Sequence, residues 1–233
     1  MKTLNDFNFN NKKAIIRVDF NVPLDENFNV TDATRIEAAK PTIDKILSDG
    51  GSVILMSHLG RPKGVEEKYS LKHIVTKTAE VLGVPVTFAS DCIGSTALEM
   101  SSHLKPGEVL LLENVRFYKQ ETAGTESFAA DLAKHGDCYV NDAFGTAHRA
   151  HTSTSVIAQF FEGKKCFGYL LAREIESIGK VNSNPEKPFV AILGGAKVSD
   201  KLAIIENLMP KTDRFIIGAP ARESTSRRSR APG

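Results

Sequence analysis

The chain has 233 residues, of which 41% are hydrophobic and 25% charged, with three cysteines and a formal net charge of +2. This composition is that of an ordinary globular protein and excludes a disordered, fibrous or disulfide-stapled chain. No apolar run approaches the roughly 18 residues that cross a bilayer, and the polar N-terminus is unlike a secretory signal. The cysteines are odd in number and form no CxxC pair, so we expect a cytoplasmic protein with structural thiols and no zinc site.

The positive charge is concentrated at the end of the chain. Residues 219–233 contain four arginines and one glutamate, whereas the remainder has 26 basic and 27 acidic residues. A near-neutral body does not match a nucleic-acid-binding domain, which needs basic residues gathered on a folded face. We expect no nucleic-acid partner and no membrane partner, and the Ser/Arg/Pro tail over 219–233 is predicted to be disordered.

Apolar runs and helical patterns alternate along most of the chain. Strands are predicted at 14–18, 52–56, 84–88, 108–112 and 138–140, and helices at 34–48, 71–82, 94–103, 127–135 and 169–181. This rhythm indicates a mostly parallel sheet with helices on both faces. The fold class predicted is therefore a three-layer α/β/α, Rossmann-like N-terminal domain.

A second α/β unit is predicted to begin after the breaker cluster at 182–185. It comprises a strand at 188–193, a helix at 197–208 and a strand at 214–217. We predict an N-terminal domain over 1–168, a connector helix over 169–185 and an incomplete second domain over 186–218. Two strands and one helix bury little apolar surface, so loose packing is expected beyond residue 185.

Basic side chains follow the predicted strands at the carboxyl edge of the sheet, where ligands bind in open parallel sheets. Guanidinium groups match the geometry of carboxylates and phosphates, so this basic rim suits a small polyanion. The patterns also fit an ordinary exposed rim, and Asp19 and Asn21 fit either a hydroxyl ligand or a turn cap. The rim comprises Arg17, Arg35, His58, Arg61, Arg116 and Arg149.

A glycine-rich turn links the strand at 188–193 to the following helix. Gly194 and Gly195 would let a phosphate approach the backbone, and Lys197 and Lys201 share one helix face. The turn lacks Walker A spacing and equally fits ordinary strand-to-helix punctuation. His148 and His151 near Asp142 lack a convincing third ligand, so no metal site is predicted.

Six segments together resemble the phosphoglycerate kinase family over about residues 4–218. They are RVDFNVP (17–23), TRIEAAKPTI (34–43), SHLGRPKG (57–64), LLENVRF (111–117), NDAFGTAHRAHTST (141–154) and AILGGAKVSDKL (191–202). The resemblance implies a monomeric glycolytic kinase that moves a phosphoryl group between 1,3-bisphosphoglycerate and ADP, giving 3-phosphoglycerate and MgATP.

The resemblance also implies roles for individual residues. Arg35 and Lys197 would be catalytic, and Gly194, Gly195, Lys197 and Lys201 would bind the MgATP or MgADP co-substrate. The glycerate ligand would be bound by Asp19, Phe20, Asn21, Arg35, His58, Leu59, Gly60, Arg61, Arg116 and Arg149.

The likeness ends at Gly218, and residues 219–233 have no counterpart in the family. Family members are close to twice this length, so the chain is expected to be a truncated form with little or no turnover. The alternative is a non-catalytic anion-binding or interaction protein derived from the same fold.

Overall fold

A computed structural model of the protein describes residues 3–183, 185–194 and 202–218. The chain divides into two compact units, Met1–Glu174 and Ile175–Gly233. The division lies inside the helix that was predicted as the connector. The tail at 219–233 and the turn at 195–201 lie outside the described residues.

Six parallel strands form the sheet of the first unit, in the order β3-β4-β2-β1-β5-β6. The neighbouring strands β1 and β2 pair from Lys13 with Ser52 to Arg17 with Met56. The strands are β1 (Lys13–Arg17), β2 (Ser52–Met56), β3 (Val86–Phe88), β4 (Val109–Leu111), β5 (Cys138–Asn141) and β6 (Lys165–Phe167). The predicted mostly parallel α/β architecture is confirmed.

Helices flank both faces of this sheet. They are α1 (Thr34–Ser48), α2 (Val75–Leu82), α3 (Ser95–Ser102), α4 (Lys119–Ala123) and α5 (Glu126–Ala133), and a further helix, α6 (Tyr169–Ser183), begins in the first unit and continues into the second. The Asp32 carboxylate accepts the Thr34 N–H at 2.8 Å and so satisfies one of the free donors at the start of α1. None of the helices in the described part of the chain is long and apolar enough to cross a membrane.

Two apolar cores lie on opposite faces of the sheet because alternate strand residues point to opposite sides. Ile16 and Leu55 pack on one face with α1, whereas Ile15 and Ile54 pack on the other with α5. All four of these side chains are fully buried. Each contributes about 1.5–3 kcal/mol through burial, so the central strands form a rigid base for the loops that leave them.

Two short elements of the first unit, α4 and β6, were missed by sequence reasoning. Helix α4 has five residues of sequence KQETA, too few to display a helical apolar period. Strand β6 has three residues and begins at Lys165, directly after Gly163 and Lys164, a sequence that is typical of a loop. Both elements therefore form because of tertiary contacts rather than local sequence preference.

The three cysteines are free and buried. Burial raises the pKa of the Cys138 thiol to about 12 and that of Cys166 to about 12. The Cys92 thiol is fully buried, its pKa is also raised by burial, and it donates a hydrogen bond to the Glu113 carbonyl. These groups behave as small apolar core side chains.

The second unit contains a pair of parallel strands, β7 (Val190–Gly194) and β8 (Arg214–Gly218), and helix α7 (Leu202–Leu208). Its strands pair from Val190 with Arg214 to Gly194 with Gly218. Val190, Ile192 and Ile216 share one face of the pair and are 41%, 74% and 53% exposed. This face is an uncovered apolar surface, as expected for a sheet with few strands.

Replacing one residue of this surface with lysine tests whether it promotes association. Ile192→Lys is expected to lower both the self-association of the purified chain and its binding of the dye ANS, because it interrupts a contiguous apolar patch. Analytical ultracentrifugation and ANS fluorescence are the measurements.

Val65→Lys is the matched control, since Val65 is 83% exposed but lies in a loop of the first unit between Gly64 and Glu66. If the two variants show the same self-association and the same ANS binding, the exposed face of β7 and β8 does not promote association.

Candidate functional site

The parallel register brings the carboxyl ends of four strands to one edge of the sheet. Arg17, the last residue of β1, pairs with Met56 on one side and with Asn141 on the other. In the next pair, Leu55 of β2 lies beside Leu111 of β4. The loops that start at 18, 57, 112 and 142 therefore leave the sheet side by side.

These loops and the start of α1 enclose a cavity of about 290 Å³. The volume is at the small end of ligand sites, which suits a metabolite of a few carbons. Eight of the ten predicted glycerate-binding residues line the cavity, together with Gly145 and Thr146. The eight are Asp19, Asn21, Arg35, His58, Gly60, Arg61, Arg116 and Arg149.

The other two predicted residues, Phe20 and Leu59, are buried in the apolar core rather than in the lining of the cavity. Their main chains nevertheless hold the loops together. The Phe20 N–H donates to Ser57 Oγ at 2.8 Å, and the Leu59 carbonyl accepts from the side-chain amide of Asn114 at 2.8 Å. The same amide donates to the Tyr69 carbonyl at 2.9 Å, so Asn114 links the 57–64 loop to the segment that contains Tyr69.

Gly60 occupies a position that no other residue type would fit. Its φ is +61°, and a Cβ added there would lie 2.4 Å from the Tyr69 ring. Its N–H donates to Asn21 Oδ1 at 2.7 Å, and its carbonyl accepts from Arg116 Nη1 at 2.7 Å. The tight turn therefore holds two lining side chains at set positions.

Positive charge dominates the cavity. Its lining carries four guanidinium groups and the single carboxylate of Asp19, a formal net charge of +3 with His58 neutral. Arg35 Nη1 lies 2.5 Å from Asp19 Oδ2. Burial lowers the pKa of Arg116, and the charges of Arg17 and Arg149 lower it further. An anion in the cavity would relieve this mutual repulsion.

Arg17 does not belong to the exposed rim on which sequence reasoning placed it. Its side chain is fully buried beneath the cavity and is absent from the lining. Its Nε donates to Ser153 Oγ at 2.8 Å, and Nη1 donates to the Val18 carbonyl. Burial lowers the pKa of Arg17, and the charge of the equally buried Glu121 opposes that effect. The correction follows from β1 being covered on both faces, which leaves its last side chain inside the protein.

His58 lies between the buried Arg17 and the cavity and is only 4% exposed. Arg17 Nη2 lies 3.0 Å from His58 Nδ1, and Asp19 Oδ1 lies 3.7 Å from the same nitrogen. Burial lowers the pKa of His58 to about 2, with further lowering by Arg17, Arg116 and Arg35. His58 is therefore a neutral ring at physiological pH.

Sequence reasoning did not single out four residues of this region: Glu121, Gly145, Thr146 and Ser153. Gly145 and Thr146 could have been found, because they follow β5 at the same sheet edge as the predicted residues. Gly145 lies close to the carboxylate of the cavity, since an added Cβ would lie 2.8 Å from Asp19 Oδ2 and would displace that side chain. No sequence pattern marks Glu121 or Ser153, because their roles depend on the contact that they make with each other in the folded chain.

The remaining sequence candidates are placed as follows. His151 Nδ1 is 3.9 Å from Glu121 Oε1 rather than beside Asp142. No group of three potential metal ligands occurs among residues 3–183, 185–194 and 202–218. Gly194 is the last residue of β7, and Gly195, Lys197 and Lys201 lie outside the described residues.

The fold and the cavity define a class of α/β protein with a basic cavity at the carboxyl edge of a parallel sheet, where ligands of such sheets bind. A sequence model of the family "Phosphoglycerate kinase" matches residues 4–221. The chain therefore belongs to the phosphoglycerate kinase family.

Individual relatives agree with this placement. Phosphoglycerate kinases of Porphyromonas gingivalis and Borrelia duttonii are 50% and 51% identical over 92% and 94% of this chain, but the matches cover 57% and 55% of those proteins. Solved phosphoglycerate kinase structures from Coxiella burnetii and Pyrococcus horikoshii give TM-scores of 0.81 and 0.84 at 37% and 33% identity. They cover 93% and 94% of this chain, and 54% and 55% of theirs. The chain thus spans about half the length of these relatives.

The environment of His58 predicts its protonation. We expect the His58 ring to stay neutral from pH 8 to pH 5 in the folded chain, whereas in urea it should titrate near its ordinary pKa of 6.5. Because the unfolded chain takes up this proton first, the contribution of His58 to stability is complete above about pH 6.5 and is lost as the pH falls toward 2.

NMR of ¹⁵N-histidine-labelled protein is the measurement, with His58→Gln to assign the signal. The same variant should also lose stability less steeply than the unmodified chain below pH 6.5. A native His58 signal that titrates near 6.5 would contradict the burial argument.

Proposed function

We propose that the cavity binds 3-phosphoglycerate and the glycerate part of 1,3-bisphosphoglycerate. The observation that carries the proposal is the presence of four guanidinium groups and one carboxylate around a cavity of about 290 Å³. A phosphate monoester carries about −1.5 to −2 at pH 7, and the carboxylate of the ligand adds one further negative charge. The ligand therefore balances the formal +3 of the lining.

The proposed reaction is the reversible transfer of a phosphoryl group between 1,3-bisphosphoglycerate with ADP and 3-phosphoglycerate with MgATP, a step of glycolysis. The acceptor in the ATP-consuming direction is a carboxylate, which has no proton to lose. This agrees with the cavity, whose described lining contains one carboxylate, Asp19, paired with Arg35, and one imidazole, His58, which is held neutral. A general base is not required for this chemistry.

Catalysis then consists of positioning and charge neutralisation, as in other phosphoryl transfers. Arg35 is the proposed catalytic arginine of the described part of the chain, since it lines the cavity and its side chain is half exposed. In this role its guanidinium would stabilise negative charge on the group in transfer. The lining arginines at 61, 116 and 149 would hold the ligand in place.

The nucleotide is proposed as the co-substrate, bound by Gly194, Gly195, Lys197 and Lys201, with Lys197 as the second catalytic residue. We further propose a cytoplasmic monomer with no nucleic-acid partner. The domain limits predicted from sequence, at 168, 185 and 218, remain proposals. Because the chain matches about 55% of its relatives, we propose that these 233 residues alone turn over slowly at most.

Calorimetric titration with 3-phosphoglycerate and, separately, with MgADP tests the proposal. We expect the chain to bind 3-phosphoglycerate, and Arg116→Gln to raise its Kd about 10- to 100-fold, since a hydrogen bond between charged groups is lost. Lys77→Gln is the control, because it removes one charge from α2 outside the cavity lining.

The glycerate-site proposal fails if 3-phosphoglycerate does not bind, or if both variants weaken binding equally. A coupled assay for ATP formation from 1,3-bisphosphoglycerate checks the turnover. Rates near those of full-length relatives would contradict the expectation of slow turnover.

A further inference from the structure

A continuous set of buried hydrogen bonds runs from α4 to the cavity. It begins at Glu121, whose side chain is fully buried. Ser153 donates to this carboxylate twice, from its main-chain N–H at 2.9 Å and from its hydroxyl at 2.6 Å. A buried carboxylate needs such donors, and here one residue supplies two of them.

The Ser153 hydroxyl has one proton, and that proton is directed to Glu121. Its oxygen is then free to accept, and it accepts from Arg17 Nε at 2.8 Å. Ser153 thus connects two fully buried opposite charges without a direct contact between them. The hydroxyl polarises both bonds, as in other chains of buried hydrogen bonds.

The fixed position of Arg17 in turn determines which ring nitrogen of His58 carries the proton. A guanidinium group has only N–H donors, so its 3.0 Å contact with His58 Nδ1 requires Nδ1 to be the acceptor. The single ring proton of the neutral histidine must then be on Nε2. Since His58 lines the cavity and Nδ1 is occupied, Nε2 is the ring nitrogen available to a ligand.

An alternative arrangement lies close by. Asp19 Oδ1 is buried, has no hydrogen-bond partner among the residues that the structure describes, and is 3.7 Å from His58 Nδ1. A proton on Nδ1 could be donated to this oxygen after a small movement of the ring. That arrangement would place two N–H groups against each other at Arg17 and would present a bare lone pair to an anion in the cavity. Arg17 is the group that decides between the two tautomers.

We infer that Glu121, Ser153 and Arg17 are positioning residues that hold His58 as its Nε2–H tautomer, a neutral hydrogen-bond donor aimed at the anionic ligand. None of the three lines the cavity. They act through His58, adding one directional donor to a site whose other lining cations attract any anion. The effect on 3-phosphoglycerate rests on the proposed function, whereas the tautomer itself does not.

Long-range ¹H–¹⁵N NMR of the ¹⁵N-histidine-labelled full chain tests the tautomer without a ligand. The unmodified chain should show His58 protonated at Nε2 and unprotonated at Nδ1. Ser153→Ala removes the bridge, and we expect a substantial fraction of the His58 signal to move to the Nδ1–H form because Arg17 is no longer held. Glu121→Gln is the second variant, with the same direction of change.

Ser101→Ala is the matched control. Ser101 is a buried serine whose hydroxyl lies 2.8 Å from Nδ1 of another buried histidine, His135. This substitution should alter the His135 signal and leave that of His58 unchanged, and Ser153→Ala should do the reverse. An unchanged His135 signal also shows that a variant has folded.

Calorimetric titration with 3-phosphoglycerate gives the second measurement. Ser153→Ala should raise the Kd about two- to tenfold, the usual range for the loss of one well-placed hydrogen bond, and Ser101→Ala should leave the Kd unchanged. The variant should bind less tightly although every cavity-lining residue is retained.

The inference is overturned if the unmodified His58 is protonated at Nδ1 or doubly protonated, or if Ser153→Ala leaves the tautomer unchanged. It is equally overturned if the tautomer changes but the Kd does not. The expected tautomer signals together with no binding of 3-phosphoglycerate to any variant would support the positioning role of Glu121, Ser153 and Arg17 and would overturn the ligand assignment.

Discussion

The buried charge of Arg17 is the constraint on which the site depends. A guanidinium group removed from water destabilises the folded chain by several kcal/mol unless it is paired and hydrogen-bonded. The chain meets this requirement with Glu121, Ser153, His58 and the Val18 carbonyl, which come from four separate segments. Helix α4, the 152–154 segment and the ends of β1 and β2 are thereby fixed to one another. The floor of the cavity is therefore part of the core rather than of the mobile surface.

The arginines that line the cavity and the buried Arg17 have the same side chain but different roles. The four in the lining share the cavity with one carboxylate among its described residues, Asp19, an arrangement that is unfavourable until an anion binds. The charge of Arg17 is opposed by that of Glu121, to which it is linked through Ser153, and Arg17 does not line the cavity, so it does not contact an anion there directly. Its usefulness lies in its rigidity, because a fully bonded guanidinium can set the orientation of a neighbouring ring.

The sequence predicted the sheet and most of the lining because both follow from simple rules. Buried parallel strands are continuous apolar runs, and the residues just after them meet at one edge of the sheet. This rule is enough to predict that Asp19, His58 and Arg116 lie close together. The place of Arg17 could not be predicted, since the sequence does not say whether a strand-end side chain turns toward solvent or into the core. Glu121 could not be found either, because it stands in a short polar segment that becomes a helix only through tertiary contacts.

The three thiols have a practical consequence for experiments on this protein. Each is buried and has a raised pKa, so little of the nucleophilic thiolate forms near neutral pH. Maleimide dyes and spin labels attach to exposed thiolates. A single cysteine introduced on the surface can therefore be labelled selectively while Cys92, Cys138 and Cys166 remain in place, which avoids three cavity-forming substitutions in the core.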